Sequence, residues 1–67
     1  MQRISADIVK RGDRIMRIGD DGVRAVRLVR AVLAQGNAVW IMSTSPDRTD
    51  DDATDVVTAD CMIALAA

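Results

Sequence analysis

The chain has 67 residues, nine basic and ten acidic side chains, a net charge of −1, and no histidine, tyrosine or phenylalanine. One domain with a marginal core is all this length allows, because a chain of about 60 residues buries only about 60% of its unfolded surface. Cys61, the one cysteine, excludes an internal disulfide, and no Cys/His pattern suggests zinc.

The opening "MQRISADIVKRGD" carries no apolar leader, and no apolar run approaches the roughly 18 residues of a membrane span. The expectation is a cytoplasmic protein in a reducing compartment, without a cofactor. Gly12-Asp13 is turn chemistry, so the adhesion-like tripeptide Arg11-Gly12-Asp13 reads as the turn that begins a strand. Ile15, Met16 and Ile18 make residues 12–18 a short strand. "GDDG" (19–22) is a turn, with two glycines able to take positive φ.

Residues 23–33 admit two readings, because Arg24, Arg27 and Arg30 recur at every third position. As a helix over 22–35, they occupy one side and Val26, Val29, Val32, Leu28 and Leu33 the other, with Gly36 as its end. Four valines, each losing rotamer freedom in a helix, oppose this. As a strand, the segment alternates correctly only with a one-residue bulge near Val29. Val26, Leu28, Ala31 and Leu33 then point inward, Arg27 and Arg30 outward, and "AQGN" (34–37) becomes a hairpin turn. The neighbours favour the strand. "AVWIMST" (38–44) alternates Val39 and Ile41 with Trp40 and Met42. "DVVT" (55–58) and "CMIAL" (61–65) are two more strands, and five strands in series can hide their edges. Residues 43–55, with Pro46 and five aspartates, form a flexible acidic loop. The expected fold is all-β, a small barrel of about five short strands in one domain (1–67); the alternative is α+β with a helix at 22–35.

Charge is segregated along the chain. Residues 1–30 hold eight basic groups against four acids, net +4; residues 31–67 hold Arg48 against six aspartates, net −5. Such a distribution folds onto itself, pairs with a second copy, or offers two faces to partners. The Arg-, Ala- and Val-rich composition suggests GC-rich codons, hence an actinobacterium or its phage.

"ADIVKRGDRIMRI", the paired "VRLVRAVLAQGNAVWIM", a polar loop and "DVVTADCMIAL" together resemble small SH3-like β-barrel proteins of actinobacteria and their phages. In those proteins a "GDRI"-type segment opens the first strand. A V-x-x-A-D-x-x-I-x-L ending forms two short strands around a tight turn. Here it runs from Val56 or Val57 through Ala59, Asp60 and Ile63 to Leu65. The resemblance implies a barrel and a binding role, not an activity.

Catalysis has few candidates: Asp, Ser, Thr, one Lys and Cys61, which sits in a predicted strand and reads as a buried small hydrophobe. The aspartates at 47, 50, 51, 52 and 55 lack the central Gly and closing Glu of an EF-hand, so they read as a solvated loop. Weak cation binding, or mimicry of phosphate for a partner's basic groove, are the alternatives. Arg14, Arg17, Arg24, Arg27 and Arg30 lining one surface would suit nucleic acid, with Trp40 as the one stacking group. Pairing of these arginines with the aspartates is the plainer reading. Trp40 is either the largest piece of core or an interface anchor, with Met42 and Met62 as a soft patch beside it and Arg27 and Arg30 as a charged rim. The leading expectation is therefore a non-enzymatic module, a phage or mobile-element accessory protein, that binds a host protein or itself as a homodimer. Ala64-Leu65-Ala66-Ala67 looks like the end of the tag that transfer-messenger RNA adds to stalled bacterial proteins. That leaves recognition by a bacterial protease system as a further candidate.

Overall fold

The computed structural model describes residues 2–19, 21–47 and 51–66. The chain is all-β: among the described residues there are six strands, one 3₁₀ turn at Ala6–Ile8 and no α-helix. The strands are β1 (Arg3–Ser5), β2 (Arg14–Ile18), β3 (Arg24–Gln35), β4 (Ala38–Thr44), β5 (Asp52–Thr58) and β6 (Met62–Ala64). They make a four-stranded antiparallel sheet in the order β2-β3-β4-β5 and a two-stranded ribbon of β1 with β6. An isolated bridge between Ile15 and Leu65 ties the ribbon to β2, and the Ala66 amide donates to the Arg14 carbonyl. The amides of Ala6 and Asp7 in the 3₁₀ turn donate to the Cys61 and Ala59 carbonyls. Pairing does not run around the whole circumference, so the expected barrel is not closed. The strand count exceeds the expected five because residues 3–5, too short to signal a strand, find a partner in β6.

β3 is extended over its whole length, not helical, and it carries the bulge. Val29 and Ala31 oppose the consecutive residues Ser43 and Met42, which leaves Arg30 as the extra residue. Gly36-Asn37 joins β3 to β4 in two residues. Gly36 has φ 59°, and no described non-glycine residue has positive φ, which identifies the type II′ turn with its obligatory first glycine.

The bulge lies where the sequence put it, but the alternation around it has the opposite phase. The turn pairs Leu33 with Trp40 and Val32 with Ile41, so β3 must turn inward the same side that β4 does. Ile41, Val39 and Val29 are each 1% exposed, and Val32 packs against them. Val26 and Leu33, expected inward, face out, as do the half-buried Leu28 and Ala31. Arg27, expected outward, is buried.

The core holds Ala6, Val9, Ile15, Val29, Val39 and Ile41, closed from the ribbon side by Ile4, Ile63 and Leu65. Its largest members are isoleucines, and no aromatic ring is among them: Trp40 is half-buried on the opposite side of β4. Cys61 precedes β6 rather than lying in it and packs half-buried against the core.

The expected loop at 43–55 is partly sheet: six of its thirteen residues lie in β4 and β5. Ser43 and Thr44 end β4 as buried residues, and Asp52 begins β5. Only residues 45–51 connect the strands, and 48–50 lie outside the described residues. Aspartates are poor strand formers, and they hid a strand whose carboxylates are held by arginines. Of the Ala64–Ala67 end, Ala64 lies in β6 and Leu65 bridges to Ile15, while Ala67 lies outside the described residues. No described helix is long and apolar enough to cross a membrane.

Candidate functional site

Register determines what the outer face of the four-stranded sheet presents. One cross-strand row reads Leu33, Trp40, Val56, and the next reads Ala31, Met42, Thr54. A third reads Arg14, Leu28, Thr44, Asp52. On the β2 side the face continues through Met16 opposite Val26 and Ile18 opposite Arg24. Apolar side chains stand in water here: Ile18 is 61% exposed, Val26 36%, Leu33 56% and Val56 58%. Singly exposed apolar residues are ordinary, but the row Leu33, Trp40, Val56 sets two of them directly beside the one aromatic ring.

The arginines do not form one stripe. On a strand a three-residue step alternates faces, so Arg14 and Arg24 lie on the outer side, and Arg17 and Arg27 on the inner. Arg27, 6% exposed, donates to the Ser43 carbonyl at 3.0 Å and the Ser43 hydroxyl at 3.4 Å. It also donates to the carbonyl of Asp51 at 2.6 Å and its carboxylate at 3.0 Å. Arg17 donates through Nε and Nη2 to both carboxylate oxygens of Asp55, at 2.8 and 3.1 Å. β2 and β5 flank the sheet with two strands between them, three spacings or about 14 Å when flat. An arginine on one reaches an aspartate on the other only because the sheet coils until those strands approach. Arg30, the bulge residue, pairs with Asp52 at 2.8 Å, both side chains more than half exposed. Three bases from the first half of the chain thus neutralise three acids from the second, and the segregated charge folds onto itself.

Trp40 and Met42 do share the outer face. Met62 does not join them: it is 56% exposed on β6, in the separate ribbon, opposite Ser5. Arg27 is no rim residue, because it is buried beneath the sheet, whereas Arg30 stands at the surface. Arg14 and Arg24 are exposed and make no ion pair among the described residues.

Beside the bulge the outer face dips into an open cleft of about 630 Å³. Leu28, Ala31 and Met42 line its apolar side; Arg11, Arg30 and Asp52 line its polar side. Sequence reasoning missed Leu33, Val26, Ile18 and Val56 as surface residues and Arg11 as part of a site. The signal for Leu33 was present: a two-residue turn at Gly36-Asn37 places it opposite Trp40. Nothing local marks Arg11, which the fold brings to the bulge from 19 positions away in sequence. Comparison with known proteins finds no family model, no curated protein and no solved structure that this chain matches.

Proposed function

We propose that the chain is a non-enzymatic protein-interaction module whose contact surface is the outer face of the four-stranded sheet, centred on Trp40. One observation carries this reading: Leu33 and Val56 stand 56% and 58% exposed on either side of Trp40 in a single cross-strand row. Tryptophan is the commonest anchor of protein interfaces, and Met42 beside it adapts to varied partner shapes. The amount of surface agrees. The chain exposes 4643 Å², where a compact chain of this mass exposes about 4,100 Å². A partner that covers the outer face supplies the burial the small core lacks.

A second copy is the first partner to test. Sedimentation velocity should show a dimer fraction that rises with concentration, and Leu33→Asp should remain monomeric with an unchanged fold by circular dichroism. A wild-type chain that stays monomeric directs the search to another protein. Affinity capture then uses wild type and Leu33→Asp as paired baits, and the same proteins on both would remove the outer face as the contact surface. Nucleic-acid binding is the second reading, supported by Arg14 and Arg24, exposed on the same face as Trp40. Its affinity would fall steeply with salt. No gel shift at low salt would exclude it.

A further inference from the structure

We propose that the cleft beside the β3 bulge seats a carboxylate side chain of an extended peptide on its polar side, where Arg30 reaches Asp52 and Arg11 lines the wall. This rests on the outer face being a contact surface, and it names the chemistry that the surface selects.

Charge is the first argument. Two arginines, Arg11 and Arg30, and one acid, Asp52, line the cleft. Arg11 is exposed and makes no ion pair among the described residues. The Arg30–Asp52 pair is 56% and 59% exposed, so water screens it and an incoming carboxylate can share the guanidinium. Arg27, by contrast, is locked by four hydrogen bonds and is not available.

Shape is the second. One wall of the cleft is Asp52, Ala53 and Thr54, three consecutive residues of β5. Ala53 points to the opposite side of the strand, so the cleft reaches the β5 main chain. β5 ends the sheet, and its far edge has no strand partner among the described residues. An added strand there takes main-chain hydrogen bonds and sends alternate side chains to the outer face. A side chain in the cleft beside Thr54 is then followed, two residues or about 7 Å along, by one beside Val56 and Trp40. The segment that fits is acidic at one position and aliphatic at the next but one.

The test is a titration of the ¹⁵N-labelled chain with the capped peptide Thr-Glu-Thr-Val-Thr and with its counterpart carrying Gln for Glu. The Glu peptide should bind roughly tenfold more tightly and shift the amides of Arg30 and of Asp52–Thr54. The double variant Arg11→Gln, Arg30→Gln should bind both peptides equally. Arg24→Gln, on the same face but away from the cleft, should keep the preference. Equal binding of the two peptides by wild type, or no binding of the Glu peptide, overturns the proposal. So does oligothymidylate shifting the same amides at lower concentration, which would mark a phosphate site. If Val56→Asp abolishes binding of both peptides and the arginine double variant changes neither, the apolar face stands and the carboxylate seat falls.

Discussion

Arg27→Met removes the one buried guanidinium while leaving an unbranched side chain of similar reach. The Ser43 residue, 1% exposed, loses the donors to its carbonyl and hydroxyl. Asp51 regains water, because its side chain is 52% exposed. Counting only the Ser43 carbonyl and the strained repacking of a cationic slot, the expected loss is about 2–3 kcal/mol. A domain of this length has about 3–10 kcal/mol in total. With a urea dependence near the low end for small proteins, about 1 kcal/mol per molar, the unfolding midpoint falls by about 2–3 M. Arg30→Met is the control: its ion pair is exposed, so its midpoint should move by no more than about 0.5 M. Urea titration followed by far-ultraviolet circular dichroism and Trp40 fluorescence reads both. An Arg27→Met midpoint no lower than that of Arg30→Met would show that the buried hydrogen bonds of Arg27 add nothing net to stability.

Gly36→Ala forces a side chain into positive φ in the II′ turn and should cost about 1–2 kcal/mol, read as a lowered melting temperature. Ile41→Val should cost about 1 kcal/mol and Ile41→Ala about 2–5 kcal/mol, enough to leave much of the chain unfolded at room temperature by circular dichroism. Arg17 and Asp55 are each 32% exposed at the side chain. A double-mutant cycle with Arg17→Met and Asp55→Ala should give a coupling of about 0.5–1 kcal/mol that shrinks with salt. Leu33→Asp should leave the free energy of unfolding of the monomer within about 0.5 kcal/mol of wild type, read by urea titration, because the residue is a surface one.

Elements were more legible than faces. β4 could be read to the residue, since "AVWIMST" alternates without a break between a glycine turn and a proline. The bulge near Val29 was legible too, although its ground, that Arg27 and Arg30 both turn outward, holds for Arg30 alone. Which side faces inward was not legible from β3 alone: valine and leucine stand on both sides of it. That choice is made by tertiary pairing, with Val39 and Ile41 imposing their phase through the turn. β5 was half hidden, because Asp52 and Asp55 are local signals for loop and only Arg30 and Arg17, far away in sequence, make them tolerable in a strand. The same long-range chemistry hid the role of Arg27. By type it is a surface residue, and no local pattern announces that Ser43 and Asp51 will enclose it.

Residues 29 and 31 point to opposite sides of the sheet with Arg30 interposed, so excising that one residue would leave every neighbour on its present side and restore a regular ladder. The losses would be the exposed Arg30–Asp52 ion pair and the curvature. A straightened β3 would let the sheet flatten, carry β2 and β5 apart, and open the seven-residue edge of β5 to other chains. Deletion at this position should therefore yield a protein that still forms strands but assembles into fibrils, with a single inserted arginine standing between a discrete folded unit and an open-ended polymer.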